Sequence, residues 1–254
     1  MIRALALAFG LAALPALASE EIVSGLSQNR VAITANFDGS EILIYGAVKR
    51  DSPAPEDKGR MEVIVTVEGP ATPLVIRRKE KIAGIWLNRD AVTIDKAPSF
   101  YAVATTGPLE EILSGTEDLR HSITLPQVIR AVGISAEASD PQDFVESLQR
   151  IRLAEDRYRV AEGSVQFLEE TLFRADVVLP ANLTEGNYNV RIFLTRNGVV
   201  VDNSAAIIGV RKTGLERFLF RMAHDQPALY GAAALLLAAF AGWLASFVFR
   251  FIRS

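Results

Sequence analysis

An uncharged segment near the C-terminus sets the strongest limit on how this chain can fold. Residues 228–249 contain no charged side chain, and about 20 apolar residues suffice to cross the hydrocarbon core of a bilayer. Tyr230 and Trp243 lie toward its two ends, where aromatic side chains anchor a helix at the membrane interfaces. We therefore predict a transmembrane helix over residues 227–249 and a cytoplasmic tail over residues 250–254. The alternative, a buried core helix, would be unusually long for a domain of this size.

The N-terminus has the three parts of a secretory signal peptide. Arg3 precedes an apolar run over residues 4–14, and Ala16 and Ala18 form an Ala-x-Ala cleavage site. We predict that residues 1–18 are removed and that residues 19–212 fold outside the cytoplasm. The alternative is an uncleaved anchor, although an apolar core of about 11 residues is short for a membrane span.

Composition narrows the compartment and the chemistry. The chain has no cysteine, which excludes a thiol nucleophile and a zinc–thiolate site and favours a bacterial periplasmic domain. The net charge of −3 shows no basic excess, so we expect no nucleic acid partner. We predict a single-pass protein of the bacterial inner membrane with a cytoplasmic C-terminus. The basic residues agree only in part, because several lie on the outer side: Arg211, Lys212, Arg217 and Arg221.

The outer domain alternates between strand and turn signals. Residues 30–37 and 42–48 alternate apolar and polar side chains around Asp38-Gly39, which predicts a β-hairpin. A helical region is predicted at about residues 107–165, with its longest helix ending near Val160. Strands then return over residues 171–179, 187–196 and 199–210.

One short motif indicates the type of β fold. Leu183 and Gly186 precede Tyr188 at the start of a predicted strand, as in the tyrosine corner of immunoglobulin-like sandwiches, where the phenol bonds the upstream backbone. We predict a mainly β protein, with one immunoglobulin-like β-sandwich and a helical insertion. Its last three strands would be the E, F and G equivalents. The alternative is an N-terminal β domain and a separate C-terminal half-sandwich with helices between them.

Two segments near the membrane carry helical patterns. A capping-box spacing from Thr213 to Glu216 and the apolar residues after it predict an amphipathic juxtamembrane helix over residues 213–224, either on the outer leaflet or packed on the domain. In the transmembrane helix, small side chains recur every four residues and would let another helix approach closely. This candidate helix-packing face is Ala234, Ala238, Gly242 and Ser246. It predicts an integral membrane partner or a homodimer, although Ala-rich helices also produce such rows by chance.

The densest cluster of cations lies beside a tryptophan. Residues 77–81 read Arg-Arg-Lys-Glu-Lys, and Trp86 follows shortly after. Such a set could bind an anion or a protein partner, with the tryptophan as an anchor. The candidate patch is Arg77, Arg78, Lys79, Lys81, Trp86 and Asn88. The alternative interpretation is a solvated hairpin whose Trp86 fills the core of the sandwich.

No constellation for catalysis or metal binding stands out in the sequence. His121 and His224 are the only histidines, and neither has a second ligand at metal-binding spacing. Sequences typical of nucleophile elbows, zinc proteases and phosphate-binding loops are absent. We therefore expect a protein that is not an enzyme and that holds neither a cofactor nor a metal ion.

Several stretches of the chain resemble one family. They are Asn36-Phe37-Asp38-Gly39-Ser40, Ile44-Tyr45-Gly46-Ala47, Gly69-Pro70, Arg77-Arg78-Lys79 leading to Gly84-Ile85-Trp86-Leu87-Asn88, and Pro98-Ser99-Phe100-Tyr101-Ala102. Over nearly the whole chain the sequence resembles the alphaproteobacterial transmembrane proteins of the Alph_Pro_TM family. The resemblance implies a Gram-negative inner-membrane protein that faces the periplasm, and it implies no activity. Members are often encoded near a sulfite-exporter-like permease, so the resemblance also suggests an accessory role in transport.

Two functional hypotheses follow from these features. The first is a membrane-anchored periplasmic binding or accessory protein, whose transmembrane helix docks a multi-spanning partner such as that permease. The alternative is a periplasmic sensor or ligand-binding protein that holds a small anion among the cations near Trp86.

Overall fold

The computed structural model of the protein describes residues 20–34, 37–50, 59–129, 141–169, 171–212, 220 and 222–252. The predicted signal peptide lies outside these residues. So does most of the predicted juxtamembrane helix, of which Phe220 and residues 222–224 are described and helical.

β-strands form most of the described domain, which confirms the mainly β prediction. In chain order they are β1 (Glu20–Leu26), β2 (Arg30–Ile33), β3 (Ser40–Arg50), β4 (Met61–Glu68), β5 (Ala71–Ile82), β6 (Ile85–Pro98), β7 (Tyr101–Thr105), β8 (Tyr158–Ala161), β9 (Gln166–Leu168), β10 (Leu172–Leu179), β11 (Gly186–Arg196) and β12 (Val199–Lys212). The helices between β7 and β8 are α1 (Leu109–Ile112), α2 (Gly115–His121), α3 (Leu125–Val128) and α4 (Pro141–Ala154). A C-terminal helix, α5 (Pro227–Ile252), follows β12 and includes the first residues of the predicted tail.

Two sheets share one hydrophobic core. The first has the strand order β1-β3-β10-β9, and the second has the order β2-β12-β11-β4-β7-β8. Every second side chain of β10 is buried, and these side chains meet those of β4, β11 and β12. The largest fully buried side chains from the first sheet are Ile42, Ile44, Phe173 and Leu179. Burial of such a side chain contributes about 1.5–3 kcal/mol, so this core is a principal source of stability.

The pairing of the N-terminal strands differs from the predicted one. β3 pairs with β1 and β10, whereas β2 lies parallel to β12 in the other sheet. The predicted hairpin over residues 30–48 is therefore wrong. The reason is that β1, a strand that local alternation did not predict, pairs along β3 from Leu26↔Ile44 to Glu20↔Arg50 and occupies the edge that β2 would need.

The six-stranded sheet is covered on its other face as well. β4 and β7 bury nearly every side chain, as strands packed on both faces do. Ile64, Val103 and Phe193 belong to this second face and pack in one cluster with apolar side chains of α1 and α3 and with Leu148 of α4. The domain thus has three layers: the four-stranded sheet, the six-stranded sheet and the helical region.

The helical region also contributes a strand, which corrects the prediction of a purely helical insertion. α4 ends at Ala154 rather than near Val160, because Asp156 takes a positive φ of 56° that no helix residue can hold. Tyr158 then begins β8, which pairs in parallel with β7. The buried hydroxyl of Tyr158 donates to the carbonyl of Pro98 at 2.9 Å. This bond connects the helical region to the end of β6.

The predicted tyrosine corner is present. Tyr188 is fully buried in β11, and its hydroxyl donates to the carbonyl of Thr184 at 2.9 Å. The expected bond to the upstream backbone is confirmed. β10 belongs to one sheet while β11 and β12 belong to the other, as E, F and G strands would. The immunoglobulin-like assignment as a whole stays a prediction.

Candidate functional site

β5 and β6 form a separate two-stranded hairpin, inserted in the chain between the central strands β4 and β7. Its register runs from Ala71↔Pro98 at the base to Ile82↔Ile85 at the tip. At about 3.3 Å per residue, β5 spans roughly 36 Å. The tip therefore lies far from the point where the hairpin leaves the domain.

The base of the hairpin is packed, and its outer half is not. Near the base, Leu74 pairs with Ile94, and Ile94 is fully buried in the cluster that also contains the helices. From residue 77 to residue 91, every residue except Asp90 is exposed. The apolar side chains that hold the base end at Ile76, so the outer half presents its surface to solvent.

The tip exposes four large apolar side chains. Ile82 is 43% exposed, Ile85 65%, Trp86 64% and Leu87 49%. The strands are joined by Ala83-Gly84, whose φ angles of 49° and 87° are both positive. This is the two-residue turn whose twist matches that of the strands, and it fixes the apolar residues together at the end of the hairpin.

Charged residues flank this tip. Arg89 donates to Glu80 at 2.8 Å, and Arg78 lies 3.1 Å from Asp90. The hydrogen bond that Arg89 donates to the Glu80 carboxylate raises the pKa of the Arg89 guanidinium above its ordinary value. Within the described part of the chain, Lys79 makes no ion pair, and the same holds for Lys81. The carboxylates of the outer half are thus matched, and two ammonium groups are left over.

The predicted patch is exposed throughout, but its residues do not converge on one point. Lys79 pairs with Asn88 and Lys81 pairs with Trp86, so these four share one face because directly opposed residues project to the same side. The alternative interpretation is right about the solvated hairpin and wrong about Trp86, which does not fill the core but is 64% exposed at the tip.

Arg77 and Arg78 line a cleft between β5 and α4 instead. The cleft has a volume of about 570 Å³, within the range of small-molecule sites. The Arg78 guanidinium lies over the ring of Phe144 at 5.1 Å from its centroid. The rest of the lining comes from Ile76 and from α4: Asp143, Glu146, Ser147, Arg150 and Ile151. The cleft therefore presents charges of both signs around one aromatic ring.

The hairpin begins at the end of the six-stranded sheet from which the chain continues toward α5. Gly186, the first residue of β11, pairs with Val210 near the end of β12. Pro70 lies so close to Gly186 that a Cβ there would come within 2.7 Å of the proline ring. The base of the hairpin and Lys212, the last residue of β12, therefore share one end of the six-stranded sheet.

α5 is apolar and uncovered from Pro227 to Phe247. Within the described residues, one helix is long and apolar enough to cross a membrane, and its span Pro227–Phe247 has a mean hydropathy of 1.8 with none of it buried. The small residues of the predicted packing face are exposed: Ala234, Ala238, Gly242 and Ser246. Four residues rotate about 400° around the helix axis, which is about 40° more than one full turn. Successive members of the row are therefore offset by only about 40°, and the row stays on one side of the helix.

A comparison with known protein families assigns the chain to one of them. The family described as "Putative transmembrane protein (Alph_Pro_TM)" matches residues 21–251. The chain belongs to this family. The match runs from β1 into α5, so it includes the hairpin, the cleft and the apolar helix of this Alph_Pro_TM protein, which is a membrane protein. The curated proteins contain no match to the chain.

The histidines of this Alph_Pro_TM protein make local contacts. His121 places Nε2 at 3.4 Å from a Glu117 carboxylate oxygen and packs on the ring of Phe193. His224 stacks on Phe220 with the ring centroids 4.1 Å apart. Across the ranges that the structure describes, no group of three or more metal-ligating side chains occurs.

Sequence reasoning missed two parts of the site. The α4 wall of the cleft, with Phe144 and Arg150, lies far along the chain from Arg78 and meets it only in the folded Alph_Pro_TM domain. The apolar tip had a local signal: Ile85, Trp86 and Leu87 are consecutive apolar residues. A strand buried on one face would alternate, and this run does not.

Proposed function

We propose that this protein is a membrane-anchored periplasmic accessory protein that docks an integral membrane partner through α5. The observation that carries the proposal is the uncovered row of small residues, four apart, on an apolar helix. In a bilayer, lipid tails are as apolar as the helix itself, so close backbone approach at small residues is what favours helix association.

Two further observations support this docking face. A Cβ built on Gly242 would meet no atom within 4 Å, and the same is true of Gly231, which lies on the same side of the helix. The opposite side carries large rings, including Phe240 and Phe247. A partner helix would therefore find mostly small side chains on one side, with Leu235 among them, and large rings on the opposite side.

The proposed partner is a multi-spanning permease of the sulfite-exporter-like type, as the family resemblance suggests, and a second copy of this chain is the other candidate. In this proposal the domain faces the periplasm, the membrane is the bacterial inner membrane, and the protein itself carries out no reaction. The three-layered domain of this protein would then be held outside the membrane, next to the partner.

Co-purification from native membranes tests the docking face. Ala238→Leu adds bulk at the centre of the row and should reduce recovery of the partner. Ala233→Leu makes the same chemical change about 140° around the helix and should leave recovery unchanged. Equal recovery from both variants would contradict the proposal, and self-association measured on the same variants separates a homodimer from a heterologous complex.

A second candidate function rests on the cleft between β5 and α4. Its volume of about 570 Å³ and its lining by Arg77, Arg78 and Arg150 suit a small anionic ligand. Because Asp143 and Glu146 also line it, a zwitterion such as taurine fits the charges better than sulfate does. Thermal shift of the full-length protein with sulfite, sulfate, taurine and phosphate tests this candidate, with Arg150→Ala as the variant that should lose any shift. An absence of shift with all four would remove its support.

A further inference from the structure

The tip of the β5–β6 hairpin is an apolar surface that the described parts of the chain leave uncovered. It consists of Ile82, Ile85, Trp86 and Leu87. We propose that this tip inserts into the surface of the bilayer that α5 spans, as a second contact between the domain and the membrane. The inference requires membrane attachment of the chain and does not depend on a partner for α5.

The chemistry of the tip matches a membrane interface. Tryptophan prefers the headgroup region, where its apolar ring and its polar N–H are both accommodated. Here Trp86 stands directly opposite Lys81, whose long apolar stem can lie along the ring while its ammonium stays among the headgroups. Ile85 and Leu87 on either side add apolar surface that can enter the acyl boundary, which lies about 5–10 Å below the surface.

The charge of the hairpin is opposite to that of the whole protein. Residues 77–90 contain five cations and two carboxylates, whereas the chain carries −3 overall. Both carboxylates, Glu80 and Asp90, are engaged by arginines. The remaining positive charge sits beside the apolar tip, so anionic lipids would attract this part of the domain.

The position of the hairpin allows this contact. Its base lies at the end of the sheet that carries Lys212, and residues 213–226 lead from there to α5. Fourteen residues span at most roughly 50 Å, and the hairpin itself is about 36 Å long. The linker can therefore hold the domain within one hairpin length of the bilayer.

The shape of the tip favours a lipid surface over a protein groove. A two-stranded ribbon has only marginal stability in water, and this one ends in four exposed apolar side chains around a tight turn. A protein partner would have to supply a matching cavity, whereas a bilayer deforms around the tip. The lipid is also present wherever α5 is inserted.

The two tryptophans of the chain allow a direct test, because one is at the tip and the other is in α5. In the full-length Trp243→Phe protein, Trp86 is the only tryptophan. In the Trp86→Phe protein, Trp243 is the only one. Both are reconstituted in vesicles of phosphatidylcholine and phosphatidylglycerol, with or without bromine on the acyl chains. Quenching of Trp243 by the brominated lipid verifies that α5 is inserted.

Trp86 should then show a blue-shifted emission, quenching by lipids brominated near the headgroup, and protection from aqueous iodide. The double substitution Ile85→Asp with Leu87→Asp should abolish all three effects. Leu172→Asp with Val178→Asp, made at exposed positions of the four-stranded sheet, is the matched control and should preserve them.

Trp86 emission that stays red-shifted, open to iodide and untouched by brominated lipid, while Trp243 is quenched, would overturn the proposal. Protection of Trp86 in native membranes but not in these vesicles would overturn it as well, and would show that the tip docks on protein. Equal quenching in vesicles with and without phosphatidylglycerol would contradict the role given to the cations.

Discussion

Glu20 and Arg196 are joined by an ion pair of 2.7 Å, and their side chains are only 7% and 12% exposed. The same carboxylate oxygen lies 3.3 Å from Nε of Arg50. One carboxylate at the start of β1 therefore neutralises guanidinium groups from β3 and β11, and so connects the two sheets at the first residue that the structure describes.

Replacement of this carboxylate should be costly. Glu20→Ala removes the carboxylate that two largely buried guanidiniums share, and removing one partner of a buried ion pair costs about 3 kcal/mol or more. We expect a clear fall in the free energy of unfolding, measured by urea denaturation of the full-length protein in detergent. Glu21→Ala is the matched control, because Glu21 and Lys49 are both exposed and 3.8 Å apart, and it should leave the midpoint almost unchanged.

Arg191 should hold the helical layer on the sheet. Its guanidinium donates to the carbonyls of His121 at 2.6 Å and of Ser122 at 2.9 Å, at the C-terminal end of α2. Arg191→Ala leaves these acceptors unpaired, with an expected cost of about 2–3 kcal/mol, and should speed hydrogen exchange over residues 115–129. Arg174→Ala, which breaks an exposed pair with Asp176, should not. Equal exchange in both variants would refute this role.

Stability should fall at alkaline pH. Burial raises the pKa of Tyr158 to about 12, against an ordinary value of about 10. The folded protein thus keeps a proton that the unfolded chain releases, so the stabilisation is complete below pH 10 and is lost as the pH rises toward 12. Burial also raises the pKa of Tyr101 and of Tyr188 in the same direction.

The comparison of Tyr158→Phe with the wild type isolates this effect. The variant loses the bond to Pro98, at a cost of about 1 kcal/mol near neutral pH, but it should lose less stability than the wild type between pH 10 and 12. Tyr45→Phe, at an exposed position, should follow the wild-type profile. Parallel profiles for all three proteins would show that Tyr158 does not titrate in this way.

The proposed topology predicts how a protease will cut. Protease added to intact spheroplasts should digest the domain and leave a short membrane-embedded fragment that contains α5. A cytoplasmic marker should survive until the cells are lysed. A full-length band that disappears only after lysis would place the domain on the inner side of the membrane and would contradict both the topology and the proposed function.

Local patterns in the sequence were sufficient for the features that depend on local chemistry. The span of α5 could be read from residues 228–249 because a membrane helix needs only length and the absence of charge. The bond from Tyr188 to Thr184 could be predicted because its two partners are four residues apart.

Features that depend on partners distant in the chain could not be read in this way. No local signal assigns β1 and β2 to different sheets, because the sheet to which each belongs depends on its pairing with β3 or with β12. The cleft likewise needs α4 to meet β5, about seventy residues away in the chain.

The sequence by itself thus determined that the chain has a membrane helix, a β-rich domain and a cationic segment beside a tryptophan, since hydrophobic length, alternation and composition are local quantities. Only the tertiary structure decided that Trp86 is exposed at a tip rather than buried. A strand residue is buried only if another layer covers it, and the helices that pack in one cluster with Ile94 do not extend to the tip of the hairpin.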